Sequence, residues 1–182
     1  MDDSIRLLTP EDEPFLWQML CEAAHIQQEG KTIQDAMNNP DLARYVQGWG
    51  RKDDLGFVAI NTTIHQPVGA AWIRLLTGEN RGYGYIDDFT PELAIATLPE
   101  YRNQGIGTKL LTHLLTAART SYPAISLSIR STNPALQLYQ RFGWQVLPHS
   151  ETVNRVGGIS FKMKLDFHPK LQSQIVTRGI GV

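Results

Sequence analysis

One cysteine, Cys21, stands in 182 residues, which leaves no internal disulfide framework and no cysteine-rich zinc site. The five histidines (His25, His65, His113, His149 and His168) are scattered without the spacing of metal ligands. No apolar run approaches the 18 or so residues that a membrane-spanning helix needs. The chain opens acidic, Met1-Asp2-Asp3-Ser4, without a basic segment followed by an apolar one, so the expectation is a cytoplasmic protein without a leader. Charge of one sign is missing too. The formal net charge is −1, so no global field favours nucleic acid or an anionic membrane. Trp17, Trp49, Trp72 and Trp144 do not interleave with basic residues, and no nucleic-acid platform is expected. No Gly-x-Ser-x-Gly elbow, internal repeat or low-complexity segment occurs.

What remains is a soluble globular composition, 42% hydrophobic and 19% charged, long enough to bury a core. Its most informative stretch runs from Leu93 to Leu111. Leu93 to Leu98 is a short apolar run stopped by Pro99, as in a buried strand. Pro99 to Gly107 is a loop. From there Ile106, Leu110, Leu111, Leu114, Leu115 and Ala118 fall on one face of a helix expected to stop near Tyr122, since Pro123 disfavours α geometry before it. The first amides of a helix lack internal partners and carry the positive end of its dipole, so Gly105 and Gly107, which have no Cβ, suit the approach of a phosphate.

Three loop types compete for this segment. A P-loop needs a glycine where Arg102 stands and Lys-Ser/Thr where Thr108-Lys109 is found. A dinucleotide fingerprint needs a third glycine where Leu110 stands. These near-misses disfavour ATP or NAD as ligand. Arg102-Asn103-Gln104-Gly105-Ile106-Gly107 instead matches Gln/Arg-x-x-Gly-x-Gly/Ala. A second block follows the alternating strand Ile125 to Ile129: Asn133-Pro134-Ala135-Leu136-Gln137-Leu138-Tyr139-Gln140-Arg141-Phe142-Gly143-Trp144. Here Asn133 suits a helix N-cap, Pro134 the first turn and Gly143 the position past the end.

The two blocks, in this order with a strand between them, resemble the GCN5-related N-acetyltransferase (GNAT) family, whose later block reads Asn…Ala-x-x-Leu-Tyr-x-x-x-Gly-Phe, with Trp144 here in place of the Phe. The resemblance covers roughly residues 4 to 166. It implies an α/β (α+β) fold: a mixed, mostly antiparallel sheet of six to seven strands with helices on both faces. One domain is expected over 1–166, with 167–182 a loose tail.

The element order expected from pattern is a first strand at Ser4–Leu8, a helix entered at Thr9-Pro10 with Phe15, Leu16, Met19, Leu20 and Ala23 on its inner face, and a second helix near Thr32–Asn38. A further helical turn or two is expected in Asp41–Trp49. A hairpin follows, from Leu55–Ile60 and Val68–Leu76, then a three-glycine loop at 77–85 and the central strand. After the second block come a strand at Trp144–Leu147, a loop at Pro148–Gly158 and a strand at Ile159–Leu165.

The resemblance also implies acetyl-CoA as donor cosubstrate, with no metal. Its pyrophosphate would lie on the amides of Asn103, Gln104, Gly105, Ile106, Gly107 and Thr108, and its pantetheine arm would pair with the strand edge at Ile95, Ala96 and Thr97. Asn133 either touches the cofactor or serves only as a cap. Arg102 and Lys109 are further candidates for the phosphates. Tyr139 is the candidate acid for the leaving thiolate, against the alternative of a purely packing tyrosine. Glu92 is the first choice of base, with Asp87, Asp88 or a water chain as alternatives.

The implied activity is acyl transfer from acetyl-CoA to a primary amine by direct attack. The other reading is a non-catalytic acyl-CoA-binding or regulatory module on the same fold. The amine partner is a small molecule, a protein N-terminus or a lysine, read by loops at Glu22–Gly50, Thr77–Pro91 and Pro148–Gly158. A homodimer is left open.

Overall fold

The computed structural model describes residues 3–167. Of the expected tail, Phe167 is described and donates its N–H to Pro123 O at 2.9 Å; the remainder, from His168 on, lies outside them. Strand β1 (Asp3–Leu7) leads through a turn at Pro10–Asp12 into helix α1 (Glu13–Ala23). The Thr9 capping box closes that turn, with Thr9 N donating to Asp12 Oδ2 at 2.8 Å. Two short helices follow, α2 (Ile33–Met37), capped by Thr32, and α3 (Pro40–Ala43), capped by Asn39. Strands β2 (Leu55–Asn61) and β3 (Gln66–Arg74) make the expected hairpin, and β4 (Glu92–Thr97) runs antiparallel to β3.

Helix α4 (Ile106–Ala118) buries the same six residues that its periodicity selects. The isoleucine and the four leucines among them each contribute roughly 1.5–3 kcal/mol on burial. Strand β5 (Ala124–Arg130), helix α5 (Leu136–Arg141) and strands β6 (Gln145–Val146), β7 (Thr152–Val153) and β8 (Ile159–Asp166) complete the chain.

The strand order is β1-β2-β3-β4-β5-β8-β6, with β7 also on β8. The sheet therefore has eight strands rather than six to seven. The extra one, β7, lies in the segment expected to be loop. With two residues it is too short to show an alternation in sequence. Both β6 and β7 pair with β8, at Met163/Lys164 and at Ile159/Ser160. Between them the Ser150 hydroxyl accepts from Lys162 N (3.0 Å) and donates to Leu147 O (2.6 Å), standing in for ladder bonds that the break at Pro148 removes.

Alternation along β3 explains the layers. Ala71 and Ile73 pack with α4 in one core cluster, and Ala70 and Trp72 pack with α1, α2 and α3 in the other. The helices thus cover both faces. The α1–α3 layer is tied to the sheet by a buried ion pair. Arg74 Nε and Nη2 meet Asp54 Oδ1 and Oδ2 at 2.8 and 2.7 Å. Its remaining N–H groups go to the carbonyls of Arg44, Gln47 and Gly48, and the guanidinium lies 5.4 Å from the Trp49 ring centre. All five donors are engaged.

Arg74→Ala leaves the buried Asp54 carboxylate without its counter-charge, held only by the amides of Gly50 and Arg51 (3.0 and 2.9 Å), and urea unfolding should show a loss of about 3–5 kcal/mol. A loss below about 1 kcal/mol would mean that water reaches Asp54.

Candidate active site

Strands β4 and β5 run parallel but share a single residue pair, Glu92 with Ser126, where Ser126 N donates to Pro91 O at 3.0 Å. Beyond it they separate. The freed edge of β4 opens onto a cleft of about 990 Å³ that is lined by Ala94, Ile95, Ala96 and Thr97 on one side and Leu127 to Arg130 on the other. Strand alternation gives this cleft two ends. Leu93, Ile95, Leu127 and Ile129 belong to the α4 side, whereas Ala94 and Ala96 pack toward α1. Glu92, Ser126, Ser128 and Arg130 share that second face by their period of two.

At the α4 end, Gly105 is the N-cap residue, with φ of +83°, a conformation that favours glycine. Asn103 shares the left-handed region at φ +59°. Lys109 N makes the first i→i−4 bond, to Gly105 O at 3.1 Å, so the amides of Ile106, Gly107 and Thr108 precede the helix ladder. A Cβ placed on Gly105 would meet nothing within 4 Å, and one on Gly107 would meet only Leu138 Cδ2 at 3.7 Å. The space in front of these amides is open, and it borders the cleft. That arrangement fits a pyrophosphate.

Two cations expected near the phosphates point elsewhere. Lys109 Nζ pairs with Asp3 at 2.5 Å and does not line the cleft. Arg102 lines it, but its guanidinium holds Glu22 (2.8 Å) and Thr97 O (3.2 Å), bracing the end of β4 against α1. Gln104 turns back to Glu100 O (3.0 Å) and is absent from the lining. Ile95, Ala96, Thr97, Asn103, Gly105, Ile106, Gly107, Thr108 and Asn133 all border the cleft.

Helix α5 begins at Leu136, two residues later than its sequence signals suggest. Asn133 and Pro134 form a preceding turn, in which Asn133 Oδ1 accepts from Ala135 N at 2.9 Å. The helix ends in a Schellman motif. Gly143, at φ +91°, donates to Gln140 O (3.0 Å), and Trp144 N donates to Tyr139 O (3.1 Å). This stop folds Trp144 back onto Tyr139, edge to face at 5.7 Å and 60°. Tyr139 is 8% exposed, and its hydroxyl has no hydrogen-bond partner among the described residues. Burial pushes its pKa above the ordinary phenol value, so the proton stays on.

Glu92, 1% exposed, lies on the other face. Its Oε2 accepts from the Tyr45 hydroxyl (2.7 Å) and Gly84 N (2.7 Å), and its Oε1 from Gly82 N (3.0 Å). Two of the loop's three glycines are thereby explained. A Cβ on Gly82 would stand 2.6 Å from Oε1, and one on Gly84 2.9 Å from Oε2. Burial raises the Glu92 pKa, and the hydrogen bonds from Tyr45, Gly84 and Gly82 only partly offset it.

Tyr45 is a site residue that sequence reading missed. Its own pKa is raised by burial and then by the Glu92 charge, so it remains a donor. Its hydroxyl also accepts from Tyr83 N (2.7 Å), the Tyr83 ring stacks on it at 6.5 Å, and Trp72 Nε1 holds its carbonyl (2.9 Å). Asp87 and Asp88 do not line the cleft. Asp87 caps Phe89 N (2.9 Å), and Asp88 accepts from the Tyr85 hydroxyl (2.9 Å). Neither is placed to act as base there.

Among the described residues no cluster of His, Cys, Asp or Glu is arranged to hold a metal, and no helix is long and apolar enough to cross a membrane.

Comparison with solved structures gives the same fold at low identity. The ribosomal-protein-S18-alanine N-acetyltransferase of Escherichia coli matches with a TM-score of 0.64 at 17% identity, covering 94% of this chain and 98% of that one. The yncA structure from Salmonella typhimurium with its cofactor acetyl-CoA matches at 0.65 and 17%, covering 93% and 96%. Mutant forms of the spermidine/spermine N-acetyltransferase SpeG from Vibrio cholerae match at 0.60 and 17%, covering 91% and 95%. No curated protein sequence matches the chain. The model of the acetyltransferase (GNAT) domain matches residues 52–146, which span the β2–β3 hairpin, the β4–α4 turn, Glu92 with Gly82 and Gly84, and the Tyr139 helix. With more than half of its length under that model and the site built on the same elements, the chain belongs to the GNAT family of N-acetyltransferases.

Proposed function

We propose that the protein transfers an acetyl group from acetyl-CoA to a primary amine by direct attack, the amine entering from the Glu92 face and the donor from the α4 face. The observation that carries this reading is the gap in the sheet. It connects a buried carboxylate on one face to a buried, unpartnered phenol on the other. Acetyl-CoA supplies a thioester carbonyl when bound.

The residues do the rest. The amides of Ile106, Gly107 and Thr108 neutralise phosphate charge at the helix start. The unpaired edge of β4 at Ile95 to Thr97 offers backbone groups to the pantetheine arm and one amide to the carbonyl oxygen. Asn133, its Oδ1 engaged, offers its Nδ2 to the donor. Glu92 accepts the proton of the amine, and its raised pKa brings it closer to working pH than an exposed carboxylate. Tyr139 donates to the departing sulfur. The burial that holds the phenol's proton also raises the affinity of a thiolate for it.

Tyr139→Phe should lower kcat by about 10²-fold or more while calorimetry gives an unchanged Kd for acetyl-CoA. Equal loss of both, or no loss of turnover, would leave Tyr139 a packing residue.

Glu92 works as a base only when ionised, so kcat/KM should fall as pH drops through its pKa, at higher pH than an ordinary carboxylate. Tyr45→Phe removes a hydrogen bond that favours the ionised form, and its acidic limb should move further up in pH. An acidic limb at the usual carboxylate pKa in both proteins would rule out Glu92.

A further inference from the structure

At the far end of the α1 face of the cleft, two arginines from distant segments converge. Arg130 Nη2 and Arg155 Nη2 both donate to Glu29 Oε1 (2.7 and 3.1 Å) and both to Ala24 O (3.3 and 3.0 Å). Lys31 takes the other Glu29 oxygen at 3.3 Å. Three cations therefore share one carboxylate. The Nε and Nη1 groups of both arginines make no hydrogen bond among the described residues, and both side chains border the cleft. Burial pushes the Glu29 pKa up, but the hydrogen bonds from Arg155 and Arg130 outweigh it, so Glu29 stays charged and holds the pair in place. Nearby Glu22 is already engaged by Arg102, which leaves the excess positive.

We infer that Arg130 and Arg155 form a carboxylate-binding subsite for the acceptor, so that the substrate is an amine carrying a carboxylate remote from its nitrogen. The inference rests on the acetyl-transfer reading. Two guanidinium groups with unused N–H donors match a carboxylate's two oxygens, and they disfavour a polyamine at the same end. The geometry also sets the spacing. Arg130 lies four residues beyond Ser126, the register partner of Glu92, so it starts about 13 Å further along the strand at about 3.3 Å per residue. An α-amino acid, whose amine and carboxylate share one carbon, does not bridge that distance. An ω-amino acid of five or six carbons, or free lysine presenting its ε-amine, comes much closer.

The test compares alkylamines with ω-amino acids of equal length: propylamine with 3-aminopropanoate, butylamine with 4-aminobutanoate, hexylamine with 6-aminohexanoate. Acetyl-CoA binding is measured alongside by calorimetry. We expect kcat/KM for 6-aminohexanoate to exceed that for hexylamine by about 10-fold or more, with little advantage for 3-aminopropanoate. Arg155→Gln should reduce the 6-aminohexanoate ratio to about one, with acetyl-CoA affinity changed by less than about twofold. If hexylamine is used as well as or better than the acid, or if acetyl-CoA binds but no member of the series is acetylated, the inference is overturned and donor binding stands. An equal loss of acetyl-CoA affinity in Arg155→Gln would place the pair on the donor and overturn it as well. Failure of the unaltered protein to bind acetyl-CoA would remove the acetyl-transfer reading itself.

Discussion

Everything at the site depends on where the β4–β5 ladder stops. Backbone N–H and C=O groups in a sheet interior are normally paired, because leaving them unpaired in a dry place costs free energy. Here pairing ends after Glu92 and Ser126, and the chain accepts unpaired edges on two adjacent strands. Such an edge is tolerable where water or a ligand backbone replaces the missing strand. The gap also breaks the usual rule that a sheet is a wall. Residues on opposite faces, which β alternation normally keeps apart, come within reach of one molecule threaded between the strands.

The two faces are built by different means. On the α4 face, local signals suffice. A left-handed Gly105 starts one helix, and a left-handed Gly143 stops another and turns Trp144 onto Tyr139. On the α1 face the parts come from far apart in sequence. Glu92 receives Tyr45 from 47 residues upstream, and Arg130 and Arg155 meet Ala24 from 106 and 131 residues away. The α4 end of the cleft is thus encoded in short blocks, whereas the α1 end is assembled by tertiary packing.

This difference explains what could be read without coordinates. The α4 face, the β2–β3 hairpin and the glycine turn before α4 were legible because each rests on periodicity or glycine placement within about a dozen residues, whereas Tyr139 was singled out through family resemblance. Glu92 was legible only through family resemblance, because a lone glutamate before an apolar run has no pattern of its own. Tyr45 was not legible. It sits in the turn after α3, whose sequence resembles any surface connection, and its partner lies on β4. Where Arg102 and Lys109 point could not be read at all, because proximity in sequence to a helix start does not fix the direction of a long side chain, and here they hold Glu22 and Asp3. The two-residue β7 carried no alternation to detect.

The Arg74 anchor bears on how the amine would enter. By holding the carbonyls of Arg44, Gln47 and Gly48 together with Asp54, it binds the segment that carries Tyr45 to the rigid middle of the sheet. A wall fixed this way has lost its conformational freedom during folding, so a ligand meeting it spends little of its binding energy on ordering.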